Sequence, residues 1–115
     1  MQARVRTEIF INGHIRQCQA KGAFATVARR GDGDAGLVLV RIYGPDRQAR
    51  LLLEGRNLDG ARQWRDLSDG MQPEADIEAL IARQIRFDPD LWVLDIEDRE
   101  GNPHLAEPII AKDTL

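Results

Sequence analysis

Two apolar segments separated by a tight turn constrain the fold of this chain more than any other feature. The first, Leu37–Tyr43, contains six hydrophobic side chains and a single charge, Arg41. A Gly-Pro-Asp turn at 44–46 follows, and the chain returns through a leucine-rich segment, Gln48–Glu54. β-Branched and aromatic residues favour strands, while glycine, proline and aspartate favour turns. The pattern therefore predicts an antiparallel hairpin.

Size and charge indicate the class of protein. The 115 residues are 43% hydrophobic and 30% charged, which is typical of one soluble domain over 1–115, with 107–115 as a loose tail. The net charge of -3 weighs against nucleic-acid binding, which needs a basic surface. No apolar run reaches the roughly 18 residues of a membrane helix, and no signal peptide is recognisable. The single Cys18 fits a reducing compartment, so we expect a cytoplasmic protein.

The first segment, residues 4–21, is compatible with two structures. Apolar residues alternate up to Ile11, and Asn12-Gly13 follows, which is typical of a hairpin. Apolar residues from Ile11 to Cys18 also recur at helical spacing, and Gly22 stands where a helix C-cap glycine would. We expect a short extended start and a helix through about Lys21, with the hairpin as the alternative.

The remaining elements complete the predicted fold. We predict strands over 24–29 and 91–97, a glycine-rich turn at 30–36, a long loop over 55–72 anchored by Trp64, and a helix from Pro73 to Pro89. Residues 103–106 are a candidate fifth strand. The predicted class is α+β: an antiparallel sheet of about four strands with two helices packed on one face. Such a sheet has exposed edges, and an edge is a natural site for homodimerisation.

Nucleophilic catalysis finds little support in the residues available. Ser68 is the only serine and lacks the Gly-x-Ser-x-Gly context, and Cys18 falls on an apolar helical stripe. His14 and His104 are far apart in the sequence. The glycine-rich turn lacks the Lys-Ser/Thr ending of a phosphate-binding loop and the spacing of a calcium loop. The chain therefore favours a non-catalytic role.

Acidic residues suggest an alternative, a magnesium or manganese site. Carboxylate oxygens are the ligands that these ions prefer, and the candidate ligands are Asp32, Asp34, Asp88 and Glu97. The site requires the turns that carry them to meet in space. Neighbouring arginines, Arg29, Arg30, Arg83 and Arg86, offer the acids ionic partners instead. We favour such a structural network over a metal site.

Several segments together resemble a known family. They are residues 8–11, 15–16, 22–25, 29–31, 35–36, 83–93 and 97–101, and Arg86–Trp92 (Arg-Phe-Asp-Pro-Asp-Leu-Trp) is the most specific. The chain resembles the small alphaproteobacterial family known as domain of unknown function 1491. It departs from that family at Asn12-Gly13, where small helix-forming residues are expected. The resemblance implies no activity.

The resemblance indicates which surface to consider for binding. Its residues are Arg29, Arg30, Asp32, Arg83, Asp88, Asp90, Trp92, Glu97 and Asp98. The leading hypothesis is a non-catalytic protein-interaction or regulatory module that offers this Arg/Asp/Trp surface to an unidentified protein partner, without a cofactor. The alternative is a divalent-metal-dependent hydrolase with the all-carboxylate site.

Overall fold

The computed structural model describes residues 6–113, which form two helices and seven strands. Neither described helix is long and apolar enough to cross a membrane. The elements in chain order are α1 (Thr7–Ala20), β1 (Phe24–Arg29), β2 (Val38–Tyr43), β3 (Gln48–Arg56), β4 (Arg62–Asp66), β5 (Gln72–Pro73), α2 (Glu74–Phe87), β6 (Trp92–Glu97) and β7 (Ile109–Ala111).

The first element is a helix, and the hairpin alternative is wrong. Asn12-Gly13 lies inside α1, because Ile11, His14 and Cys18 form one buried stripe that docks on the sheet. Gly22 has φ +82° after the last turn, as the C-cap prediction requires. Arg6 is extended, and residues 4–5 of the predicted extended start lie outside the described residues.

The sheet is larger than predicted and mixed rather than antiparallel. Its order is β1-β6-β2-β3-β4-β7, with β5 paired to β3. Strand β6 runs parallel to β2, from Val38 opposite Trp92 to Tyr43 opposite Glu97, and antiparallel to β1. Because β6 carries apolar side chains on both faces, it is stable between two other strands. It therefore separates β1 from β2.

The two helices cover opposite faces of the sheet, and the prediction of both on one face is wrong. Val38, Val40 and Ile42 of β2 share a core with α1, while Leu39 packs with Ile77 and Ile81 of α2, as the period of two in a strand requires. Since β2 is apolar on both faces, a single helical layer would leave one face in water. The α+β class is confirmed.

The segments predicted to be irregular contribute two strands. The predicted loop 55–72 contains β4, whose Trp64 is fully buried as the anchor prediction implies. Polar side chains of β4 form hydrogen bonds inside the fold, as Arg62 Nε does when it donates to Glu54 at 2.9 Å. These bonds offset the cost of removing the polar groups from water. Within the predicted loose tail, Ile109–Ala111 pairs with β4 in parallel. Residues 103–106 form no strand.

Candidate interaction site

The predicted binding residues at the start of β6 form a buried structural junction. Trp92 is only 1% exposed, and its Nε1 donates to the carbonyl of Asp32 at 2.7 Å. The backbone N–H of Asp32 donates to the carbonyl of Asp90 at 3.0 Å. Arg29 Nη1 donates to the carbonyls of Pro89 at 2.9 Å and Leu91 at 2.6 Å. The indole of Trp92 therefore fills the core and presents almost no surface to a partner.

Close approach of the backbone closes this junction. A Cβ atom on Gly31 would stand 2.1 Å from the carbonyl oxygen of Asp90, so only glycine fits there. Arg30 covers the outside, with its guanidinium carbon 5.0 Å from the centroid of the Trp92 ring. Arg30 also pairs with Glu8 at 2.7 Å, and this hydrogen bond lowers the pKa of Glu8. The glycine-rich turn thus packs against the start of β6.

The acids of the predicted metal site do not converge. Asp34 pairs with Arg6 at 2.8 Å, Asp32 accepts from the N–H of Ala35, and Asp88 accepts from the N–H of Asp90. Glu97 lies at the other end of β6, about 17 Å from Trp92 at 3.3–3.4 Å per residue.

Among residues 6–113 no group of three or more His, Cys, Asp or Glu could hold a metal ion. The candidate ligands of the all-carboxylate site therefore do not lie together in the described part of the chain. Arg30 and Asp34 do form ion pairs at this end, but not with the partners first considered: Arg30 pairs with Glu8, and Asp34 pairs with Arg6.

The nine predicted binding residues occupy three separate regions. Arg83 lies on α2 and lines a different cleft. Glu97 is the last residue of β6, and Asp98 follows it. The other six lie around the start of β6: Arg29, Arg30, Asp32, Asp88, Asp90 and Trp92. The structure thus does not gather them into one surface.

A cleft of about 550 Å³ opens at the far end of β6 and is the stronger candidate site. Phe24, Tyr43 and Met71 supply its apolar part, and the turn at 97–101 supplies its charged part. Phe24 is 73% exposed and belongs to β1, which forms one edge of the sheet. A large aromatic side chain left in water beside a cleft is typical of a binding surface. We call this region the β1 cleft.

Asp98 organises the charged wall of the β1 cleft. Its Oδ2 accepts from the N–H groups of Asn102 at 3.0 Å and Glu100 at 2.8 Å, and its Oδ1 lies 2.8 Å from His104 Nε2. The bond from Asn102, followed by those from His104 and Glu100, lowers the pKa of Asp98 to about 2. The Asp98 carboxylate thus stabilises the turn through these hydrogen bonds. Glu97 and Glu100 are exposed, and their carboxylates have no hydrogen bond or ion pair with another described residue.

A partly buried ionic cluster joins β2 and β6 to α2 and reaches Tyr43, which lines the β1 cleft. Arg41 binds Asp95 with two hydrogen bonds, of 2.8 and 2.9 Å, and also binds Glu78 of α2. The hydroxyl of Tyr43 donates to Asp95 at 3.4 Å. Burial, and then the charge of Asp95, raises the pKa of Tyr43. The hydrogen bond to Asp95 thus fixes the position of the Tyr43 hydroxyl group beside the cluster.

Sequence reasoning found Glu97 and Asp98 of the β1 cleft and missed Phe24, Tyr43 and Met71. Arg41 did carry a signal, because it is the only charge in an otherwise apolar strand and so needs a buried partner. Phe24 carried no comparable signal, since a phenylalanine in a predicted strand indicates a core position.

Similarity to known proteins covers nearly the whole chain. A family model described as "Protein of unknown function (DUF1491)" matches residues 5–106. The chain belongs to the DUF1491 family. The resemblance drawn from the residue pattern is thereby confirmed, and the family description assigns no activity. No curated protein is significantly similar to this DUF1491 chain.

Solved structures of relatives share the fold. The crystal structure of a DUF1491 family protein from Caulobacter crescentus CB15 is 42% identical, with a TM-score of 0.84, over 93% of this chain and 100% of that one. An NMR structure of a DUF1491 family protein from the same organism is 41% identical, with a TM-score of 0.82, over 95% and 99%. The solution structure of protein Atu0922 from A. tumefaciens is 30% identical, with a TM-score of 0.75, over 91% and 97%.

Proposed function

We propose that this DUF1491 protein is a non-catalytic interaction module that binds an extended, basic segment of a partner protein along β1 and in the β1 cleft. The exposure of Phe24 beside the cleft carries the proposal: 73% of this aromatic side chain is in water. The unpaired, buried thiol of Cys18 is compatible with the cytoplasm as the place where the module acts.

The free edge of β1 supports this mode of binding. β1 pairs with β6 on one side and ends the sheet on the other, so its outer backbone groups are available to an added strand. Residues 24–27 carry no charge. A register shift between Val27 and Arg29 interrupts the edge, which limits the available backbone to the part beside Phe24.

The charge of the cleft supports a basic partner segment. Glu97 and Glu100 place two exposed carboxylates at the rim of the cleft, whereas Arg99 is the one cation among the lining residues. Apolar surface from Phe24 and Met71 adjoins them. An extended segment in which an aromatic or long aliphatic residue stands next to lysine or arginine would satisfy both the apolar and the acidic parts of the site.

Selection from a library of random peptides displayed on phage tests the proposal. Immobilised protein should enrich peptides that combine apolar and basic residues, and F24D should weaken the binding of the enriched peptides about tenfold or more. E97Q should weaken binding less and reduce its dependence on salt. L58D is the matched control, because Leu58 is fully exposed on a distant turn.

Three outcomes would contradict the proposal. One is the absence of enrichment over a column without protein, and another is equal binding by the F24D and wild-type proteins. The third is a particle mass of about twice 13.0 kDa that F24D returns to the monomer, because a second copy would then occupy the β1 edge. That result would instead support the homodimer expected from the exposed sheet edge.

A further inference from the structure

A second cleft, of about 490 Å³, lies between α2 and the segments that follow β4 and β7. Arg83 and Arg86 reach it from α2, and Lys112 reaches it from the segment after β7. The backbone carbonyl of Lys112 accepts from Arg65 Nη1 at 2.7 Å, which fixes that segment beside β4. We call this region the α2 cleft.

The cations of the α2 cleft lack counter-charges. Five arginines of the described chain do form ion pairs, as in Arg50–Asp66 and Arg62–Glu54, both at 2.9 Å. The side chains of Arg83, Arg86 and Lys112 have no ion pair or hydrogen bond with any residue from 6 to 113. Asp76 is the one acid that lines the cleft. A chain of net charge -3 thus presents a local excess of positive charge at a concave site.

The spacing of these cations suits a tetrahedral dianion. Arg83 and Arg86 are three residues apart, so both guanidinium groups lie on one flank of α2. A guanidinium group presents paired N–H donors that match the oxygens of a phosphate group, and a lysine ammonium group adds a compact charge from the opposite wall. Two guanidinium groups and one ammonium group carry three positive charges, so with the single negative charge of Asp76 they would still neutralise the two negative charges of a phosphate monoester.

An apolar floor indicates more than a free phosphate ion. Leu67 and Leu80 are partly buried in the core beneath α2 and also line the cleft. The volume lies within the range of small-molecule sites, and an isolated phosphate ion would leave most of it unfilled. We propose that the α2 cleft binds an organic phosphate monoester, with the phosphate on Arg83, Arg86 and Lys112 and the apolar part of the ester against Leu67 and Leu80. This proposal is independent of the β1 cleft.

Titration of the labelled protein with phenyl phosphate, followed by amide NMR shifts, tests this inference. We expect saturable shifts in residues 76–86 and around 112, with phenyl phosphate binding more tightly than inorganic phosphate and phenol producing no saturable shift. R83Q should weaken phenyl phosphate binding about tenfold or more, because it removes a charge-assisted pair of hydrogen bonds. The matched control R16Q removes an exposed arginine of α1 and should leave the affinity unchanged.

Four outcomes would overturn the inference. They are the absence of saturable shifts at millimolar phenyl phosphate, equal affinity for inorganic phosphate, equal loss in R16Q and R83Q, and shifts centred on another surface. Unchanged spectra of the free R83Q protein relative to wild type would exclude unfolding as the cause of a loss, since the Arg83 side chain is exposed.

Discussion

Trp92 and Phe24 are both aromatic residues of strands, but Trp92 is buried and Phe24 is exposed. Trp92 fills the core, because its indole N–H donates to the carbonyl of Asp32 and its ring packs under Arg30. Phe24 stands in a strand but is left in water, because β1 lies at the edge of the sheet and beyond the cover of α2. The environment of an aromatic residue is thus set by the strand order.

Asp98 should make the stability of the protein depend on acid pH. Its folded pKa of about 2 lies below the ordinary value of 3.8, so its contribution is fully present above about pH 4 and is lost as the pH falls towards 2. We expect D98N to unfold at a lower temperature than wild type at pH 6, and the difference to shrink below pH 4. Melting curves between pH 2 and 6 measure this.

The difference between the two proteins is the relevant quantity, because Glu8 and Asp66 also have lowered pKa values and titrate in both. A gap between wild type and D98N that stays constant down to pH 2 would contradict the assignment to Asp98.

At the scale of elements, glycines show where a local pattern decides and where packing does. Asn12-Gly13 is a strong hairpin signal, yet it is helical here because the stripe of Ile11, His14 and Cys18 buries against the sheet. Gly31 belongs to a turn that looked like a simple connection between strands. In the structure, Gly31 also has a packing role, since the absence of a side chain allows the turn to lie against the carbonyl of Asp90 at the start of β6.

Alanine substitutions at these two glycines should have opposite effects on the free energy of unfolding. G13A places a methyl group in a helix with no heavy atom within 4 Å, so we expect stabilisation of about 0.5–1 kcal/mol. G31A forces Asp90 and Leu91 to move, so we expect destabilisation of about 1–3 kcal/mol. Urea unfolding measures both. Stabilisation by G31A would refute the close packing of the junction.

The whole molecule has two cores that share one sheet. The core under α1 contains both tryptophans, Trp64 and Trp92, and the core under α2 contains Ile77 and Ile81. Strands β2 and β6 contribute side chains to both, and the Arg41–Asp95 pair with Glu78 joins α2 to them. Because β2 and β6 contribute side chains to both cores, the loss of one core would leave one face of these strands in water. The strands that support the other core would then lose their packing on that face.

Damage to either core should therefore shift one common unfolding transition. We expect I11A in the α1 core and I77A in the α2 core each to cost about 2–5 kcal/mol, since both side chains are buried. Tryptophan fluorescence reports only the α1 core, whereas far-ultraviolet circular dichroism reports all elements. The two signals should coincide for both variants. An I77A protein that loses dichroism before fluorescence would show that the cores unfold separately.

Much of the chain could be assigned from local signals. The pattern of hydrophobic residues predicted β1, the hairpin of β2 and β3, α2 and β6 within a few residues, because these features depend on side-chain period and on turn residues that act over a short range. The hydrogen-bonding side chains of β4 and the short strand β7 carried no such period, and so the first was expected to be a loop and the second part of a loose tail.

The sequence by itself determined the α+β class, most of the elements, family membership and the burial of Cys18 and Trp64. Only the tertiary structure decided that β6 lies between β1 and β2, that the helices cover opposite faces, and that the predicted acids lie at opposite ends of a strand. The physical reason is that strand order depends on which apolar faces find a partner across long chain separations, and the period of a single segment does not record it. The β1 cleft and the α2 cleft both result from that order.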